Sequence, residues 1–406
     1  MAGTEGLTAQ LELIHPDGHT LLDGPAEVVV TEERVEVQPE RGAPLLIDVL
    51  TIREADVVAD AVPLVLDSDY TVRLSELEHP EELLASIVAL RRDRLSSTLT
   101  LPGRTASVSL VAEVSWSERG WVPLTDTGQV LADDTHLLVV PDHHQPLSVP
   151  LWGLDQVEAP PGGPVKVRSA FDDLAIEIAD AGGEVDALAE TVIEARDALR
   201  ERIAQALPEG VPPAASEALC SRPCLRDTDP GVEGLDLRDL ATRLAGEERA
   251  GAFRLLISVA EPEGLRLGVT VTPAVDEGEP TQLRAVSWCM TPCRSRGLTE
   301  GYVAAMGLSE AGECTVLLRR PDDSGDDDGP PPAYLAMERA CADLAPHFEA
   351  LGLPETELAE AAGGAWLWPM HQLQHLRAAR KRRVHLISHA DPGEWSRELL
   401  QVIARS

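Results

Sequence analysis

Basic residues are scarce in this chain. Lys and Arg number 34 against 69 Asp and Glu in 406 residues, a formal charge of −35, and only Lys166 and Lys381 are lysines. A protein that neutralises phosphates needs a surplus of Lys and Arg. The composition therefore argues against a nucleic-acid partner and, by the same reasoning, against an anionic membrane surface. Aromatic residues are also few, thirteen in all with seven of them Trp, which leaves little ring surface for stacking a substrate. No stretch approaches the roughly eighteen uninterrupted apolar residues of a membrane-spanning helix. The opening Met-Ala-Gly-Thr-Glu-Gly has neither the basic nor the apolar region of a secretory signal. A soluble, cytoplasmic protein is the expectation. Six cysteines are too few for a disulfide scaffold and read as reduced thiols. Nucleophile-elbow, P-loop and dinucleotide-binding glycine patterns are missing, and Gly162-Gly163, flanked by Pro161 and Pro164, reads as a hairpin turn. The residues thus point to no enzyme and no cofactor. A chain so rich in Ala, Arg, Glu and Asp has the composition of a GC-rich bacterial genome's product.

What is present is ordinary globular material, whose length suggests two to four domains. Self-similarity is its most informative feature. A shift of 102 residues lays 28–90 over 130–192 without a gap: Val28, Val37, Pro39, Pro44 and Leu45 fall on Val130, Val139, Pro141, Pro146 and Leu147. Val35, Ile47, Val49 and Ile52 fall on Leu137, Val149, Leu151 and Leu154, and Val72 and Leu74 on Leu174 and Ile176. The apolar phase is kept throughout, which reads as a tandem duplication. In each unit, alternating runs such as Leu45-Ile47-Val49 have the period of two of half-buried strands, separated by turn signals such as Pro16-Asp17-Gly18. The period then changes. Pro80-Glu81-Glu82 opens a helix with acidic residues in its first turn and Leu83, Ile87 and Leu90 as its stripe. Val185, Leu188, Val192, Leu199 and Ile203 form a longer equivalent in the second unit.

Several short strands closed by one helix, twice in tandem, resemble the pleckstrin-homology-like (PH-like) superfold over residues 7–97 and 108–206. The resemblance implies a mainly β fold with α: small seven-stranded barrels, each closed by a C-terminal helix. It also implies docking of proteins or peptides. Lipid-binding members carry several Lys and Arg around the first hairpin, whereas the turns here read His15-Pro16-Asp17-Gly18-His19 and Ser117-Glu118-Arg119-Gly120-Trp121, so phosphoinositide binding is not implied.

Unit boundaries at 1–105 and 106–206 follow, with a linker and helix over 207–249 carrying Leu237, Leu240 and Leu244. From Phe253 the pattern of strands resumes with Leu255-Ile257-Val259, then Leu265-Leu267-Val269-Val271, Leu283-Ala285 and Val316-Leu317-Leu318. A helix is expected from Tyr334 to about Leu351. Trp366, Trp368, Pro369, Met370, Leu373 and Leu376 overlay Leu147, Val149, Pro150, Leu151, Leu154 and Val157 at a shift of 219. With a strand at Val384-His385-Leu386-Ile387 and a last helix carrying Trp395, Leu399 and Val402, residues 250–406 read as a third, diverged unit with a helical insertion. Trp366, Trp368 and Trp395 are expected in its core.

Four features are candidates for chemistry. Cys220 and Cys224, and Cys289 and Cys293, form two CxxxC pairs able in principle to build a tetrahedral zinc site, although ordinary reduced cysteines suit this spacing better. His371 and His375, and His385 and His389, stand four apart, and any carboxylate partner must come from elsewhere because no Asp or Glu lies between Ala362 and Ala390. Arg377, Arg380, Lys381, Arg382 and Arg383 gather five basic residues in seven, a solvated turn or a binding site. Asp322–Asp328 has a calcium loop's composition without its twelfth-position Glu and reads as an acidic loop.

The leading reading is a non-enzymatic adaptor or scaffold that binds protein partners, basic ones being favoured by the charge. Its rivals are an acidic chaperone for a basic protein, and a metal- or thiol-dependent enzyme domain at 250–406 with barrels as targeting modules. Flotation with phosphoinositide vesicles and a gel shift with nucleic acid are expected to be negative at about 0.15 M salt, where charges are screened over roughly 8 Å. A clear positive in either defeats the charge argument.

Overall fold

The computed structural model describes residues 6–99, 107–117, 123–169, 174–179, 185–222, 224–226, 229, 235–261, 264–273, 283–293, 301–308, 314–320, 332–344, 351, 373–388 and 392–405. The protein is mainly β with helices, built on three antiparallel sheets. No described helix is long and apolar enough to cross a membrane.

The first sheet comprises β1 (Leu7–Ile14), β2 (Thr20–Val30), β3 (Arg34–Pro39), β4 (Leu45–Asp48), β5 (Ile52–Ala55), β6 (Val62–Leu66) and β7 (Thr71–Ser75). Its order, β4-β3-β2-β1-β7-β6-β5, puts the consecutive strands β4 and β5 at opposite edges. Only the 3₁₀ turn Val49–Thr51 joins them. Seven strands laid flat span about 29 Å, whereas three residues reach only about 10 Å. The sheet must therefore curl until its edges approach, giving a barrel or half-barrel. Asp48 secures the turn by accepting from Leu50 N at 2.9 Å, and Val49 and Leu50 are buried. Helix α1 (Pro80–Leu99) then packs Leu83, Leu84, Ile87 and Val88 into the barrel core with Leu11, Val28, Val35, Leu64 and Leu74.

Strands β8 (Val108–Ser117), β9 (Leu124–Ala132), β10 (His136–Pro141), β11 (Leu147–Pro150), β12 (Leu154–Glu158), β13 (Val165–Ser169) and β14 (Ala175–Ala179) repeat that order, β11-β10-β9-β8-β14-β13-β12, with the 3₁₀ turn Leu151–Gly153 in the same place. The ladders refine the shift. It is 102 from Val28 to Val130, whose partners are Leu7 and Leu110. It is 103 from Val62 to Val165 and 104 from Leu74 to Ile178. Val72 therefore corresponds to Ile176, not Leu174, because each hairpin around β6 gains one residue in the second unit. Two added residues restore the strand period of two, so an ungapped comparison keeps its apolar phase while matching the wrong pair. Helix α2 (Val185–Ala206) buries Leu188, Val192, Leu199 and Ile203.

The third sheet follows a different plan. Strands β15 (Leu225–Arg226), β16 (Arg266–Pro273), β17 (Leu283–Cys293), β18 (Tyr302–Gly307), β19 (Cys314–Arg319) and β20 (Arg383–Ser388) lie in simple sequential order. Both faces are covered. One carries Trp288, Met290, Val303, Ala305, Val316 and Leu318 against α5 (Pro332–Leu344) and α6 (Gln374–Arg380). The other carries Leu267, Val269, Cys289, Ala304, Met306 and Leu317 against α2, α3 (Pro213–Ser221), α4 (Leu237–Val259) and α7 (Pro392–Arg405). A sheet buried on two sides has apolar residues at successive positions, as in Val303-Ala304-Ala305-Met306.

Two expectations fail here. Residues 253–259 are helix, not strand: α4 resumes beyond a kink at Gly246 (φ 63°) and buries Phe253 and Leu256, three apart. Apolar residues at 253, 255, 256, 257 and 259 fit either period, and the tertiary contacts choose the helical one. Leu376 lies in α6 while its supposed counterpart Val157 lies in β12, so the shift of 219 does not describe a repeated half-barrel. Trp366 and Trp368 lie outside the described residues. Trp395 is buried, its Nε1 donating to Thr315 Oγ1 at 3.2 Å. Trp395→Ala should destabilise the fold by about 3–5 kcal/mol, the usual cost of an aromatic truncated in a core, read from chemical denaturation. A loss below about 1 kcal/mol would place this ring outside the cooperative core.

Candidate functional site

Two cations of the basic segment, Arg377 and Lys381, form ion pairs within the chain. Arg377 and Arg380 sit in the last turn of α6, Lys381 and Arg382 form the following turn, and Arg383 starts β20. Arg377 reaches the β6–β7 hairpin of the first barrel, pairing with Asp67 Oδ1 at 2.7 Å and donating to Asp67 O at 2.6 Å. Lys381 Nζ donates to Asp69 Oδ2 at 2.9 Å, and Arg53 takes Asp69 Oδ1 at 2.6 Å. The Lys381 hydrogen bond leads in holding the Asp69 carboxyl below its ordinary range. Arg382 O accepts from Arg319 N at 2.6 Å. Arg377 and Lys381 thus clamp the third sheet to the first barrel because α6 delivers them to a hairpin rich in Asp, while Lys381 and Arg383 stay exposed, as a solvated turn would leave them.

The cysteines do not come together as a zinc site. Cys289 and Cys293 lie on the α4 face of the third sheet, whereas Cys224 belongs to the opposite core and Cys220 is partly buried on α3. Burial pushes all four thiols up, Cys293 to about 12. They are therefore protonated and poorly nucleophilic at neutral pH.

Of the C-terminal histidines, His371 and His389 lie outside the described residues, and the other two find carboxylates on neighbouring helices. His385 Nε2 meets Glu398 of α7. His375 Nε2 lies 2.6 Å from Asp343 Oδ2 of α5, with both side chains buried, and His136 Nε2 of β10 approaches Asp343 Oδ1 at 3.8 Å. Burial works to raise the Asp343 pKa, and the flanking His375 and His136 outweigh it and hold it well below the carboxylate range. His136 Nδ1 continues the chain to Thr135 Oγ1 at 3.0 Å, and Thr135 donates to Asp133 at 2.8 Å.

A second cluster, absent from the sequence reading, joins the two barrels. Gly128 of β9 lets β10 approach so closely that a Cβ there would lie 2.7 Å from Val140 O, and Asp126 is drawn under the β10–β11 loop. Its Oδ1 meets His143 Nδ1 at 2.8 Å, and its Oδ2 meets His143 N at 2.8 Å and His144 Nδ1 at 3.0 Å. Burial again works to raise the carboxyl, and hydrogen bonds from His144 and His143 win, bringing it to about 2. Both imidazoles are partly exposed, with Trp116 edge-on to His144 at 5.5 Å. From the other side Arg91 of α1, fully buried, donates to Ile52 O and Pro141 O at 3.0 Å and to His144 O at 2.6 Å. Arg92 pairs with Asp142. The cluster thus sets a fixed carboxylate behind two part-exposed imidazoles. An arginine contacting only carbonyls carries no sequence signature, which is why pattern reading misses it.

Beyond this loop a cleft of about 410 Å³ opens over β8, β12, β13 and β14, lined by Trp116, Pro123, Gln156, Lys166, Arg168 and Glu177 among others. No family model matches the chain, and no curated protein matches it.

Two outcomes follow. Arg377→Ala should cost about 1.5–3 kcal/mol, the range for charged hydrogen bonds, while Lys381→Ser, an exposed pair, should cost no more than about 1 kcal/mol; equal losses in denaturant melts contradict the clamp. Asp126 has a folded pKa below the unfolded value near 3.9, so its stabilisation is complete above about pH 4 and is lost as pH falls through about 2. Asp126→Asn should be less stable at pH 7 and have a shallower stability decline between about pH 4 and 2. Parallel acid limbs for the two proteins rule this out.

Proposed function

We propose that this protein is a non-enzymatic, cytoplasmic adaptor that holds protein partners, basic ones in particular, on tandem PH-like barrels. The reading is supported by how the chemistry-bearing side chains are used. Arg377 and Lys381, the His375–Asp343 pair and the Arg91 cluster tie the chain to itself, while the described residues of β8 and β12–β14 line a cleft that none of these contacts uses. The carrying observation is that cleft on a frame tied together by internal contacts, since a docking module needs a preformed concave surface more than a reactive one. The strand order with its three-residue link and following helix supports the PH-like assignment of both barrels. A charge of −35 speeds capture of a basic partner and makes it salt-sensitive.

The acidic-chaperone alternative rests on the same charge. The enzyme alternative at 250–406 draws less support, because the buried thiols are held protonated.

Native pull-down with cross-linking mass spectrometry at low and high salt tests the proposal. A defined partner in near-integral ratio, cross-linked within 108–179 and weakened by salt, is the expected result. Many unrelated basic proteins in variable amounts favour the chaperone, and retention of nothing at either salt overturns both binding readings.

A further inference from the structure

The β1–β2 turn carries a group that neither the clamps nor the cleft use. His15-Pro16-Asp17-Gly18-His19 is a tight hairpin: Gly18, with φ +90°, donates to His15 O at 2.8 Å, and His15 N donates to His19 O at 2.9 Å. The turn folds both imidazoles to one side, where they stack with centroids 4.6 Å apart and planes 27° from parallel. Tyr70, from the neighbouring β6–β7 turn, meets His15 edge-on at 5.2 Å and fixes its ring. Nδ1 of both rings converges on the same carboxylate oxygen, Asp17 Oδ1, His15 at 2.8 Å. Among the described residues, this is the group in which three His, Cys, Asp or Glu donor atoms lie within 4.8 Å of one another.

Asp17 N lies 3.3 Å from His15 Nδ1, and the same nitrogen lies 2.8 Å from Asp17 Oδ1. A proton on that nitrogen satisfies the carboxylate, and a metal ion can take the proton's place between the imidazoles and the carboxylate. Two imidazole nitrogens and a carboxylate oxygen gathered within 4.8 Å on one turn are donor types that Zn²⁺-class ions take. Side-chain exposures of 34, 59 and 56% for His15, Asp17 and His19 leave the group open to solvent.

We propose that His15, Asp17 and His19 form a site for a first-row divalent transition-metal ion of the Zn²⁺ class. Two imidazoles and one carboxylate suit Zn²⁺, Co²⁺, Ni²⁺ or Cu²⁺ and offer too few oxygens for Ca²⁺ or Mg²⁺. Three protein ligands leave a position for water or for a donor from a bound partner, as in open zinc sites.

Zn²⁺ is titrated calorimetrically into the full chain, and Co²⁺ is followed by its visible absorption, for the parent protein and for Asp17→Asn and His15→Ala/His19→Ala. Melting curves check that the exposed turn variants remain folded. The parent should bind one more equivalent than either variant, or bind at least about tenfold more tightly, a loss usual even for outer-shell partners of a metal. Excess Mg²⁺ should not compete. Identical Zn²⁺ stoichiometry and affinity in the parent and in Asp17→Asn overturns the site and leaves a proton as the turn's cation. Should the double histidine variant unfold, Asp17→Asn, which preserves the turn's shape, decides the matter alone. Displacement of Zn²⁺ by millimolar Mg²⁺ likewise overturns it.

Discussion

A single buried guanidinium holds the two barrels in register. Arg91 leaves α1 of the first barrel, takes the carbonyl of Ile52 beside that barrel's edge link, and takes the carbonyls of Pro141 and His144 in the second. Burying a cation among carbonyls is costly unless charge compensation is near. Burial lowers its pKa to about 10, and Asp67, Asp126 and Asp142 limit the fall, so it stays charged at neutral pH. The three acids have other work as well. Asp67 takes Arg377 from the third sheet, Asp126 takes His143 and His144, and Asp142 takes Arg92. Polar contacts from all three sheets thus involve the three acids that compensate this one charge.

The apolar packing carries the same arrangement further. Leu50 and Leu95 of the first unit, Leu131, Leu138 and Val140 of the second, and Trp288, Met290 and Met337 of the third share one core. The second barrel's own interior runs without a break into the other face of the third sheet. Among the described residues, the interior of the first barrel forms a core of its own. Helix α5 is fastened from two directions: buried Glu338 accepts from Arg226 and Arg266, and Arg339 donates to Ser148 O of β11 at 3.2 Å. Glu338 keeps Arg226 strongly basic although burial opposes its charge. Such ties add less net stability than their number suggests, but each is costly to break singly and so specifies how the layers dock.

This construction bears on what the molecule is for. With 69 acidic residues against 34 basic ones, and with Arg91, Arg226, Arg266 and Arg377 taken up in internal contacts, the chain carries a large excess of negative charge. Two pairs of imidazoles that reach solvent, His15 with His19 and His143 with His144, are each held by an aspartate.

The duplication, the strand-rich units, the helix opening at Pro80 and the mainly β class were all legible in the sequence, because periodicity and turn residues are local quantities. So was the burial of Trp395. The repeat's drift from 102 to 104 was hidden because an even insertion preserves the strand period. The helical state of 253–259 was hidden because a segment apolar at five of seven positions fits both periods. Tertiary structure alone decided the sequential order of the third sheet, the separation of the cysteines onto opposite faces, and the use of Arg377 and Lys381 against Asp67 and Asp69. The physical reason is sequence distance: a cation near residue 380 and a carboxylate near residue 68 have no local pattern in common, and only the packed layers bring their charges within hydrogen-bond reach.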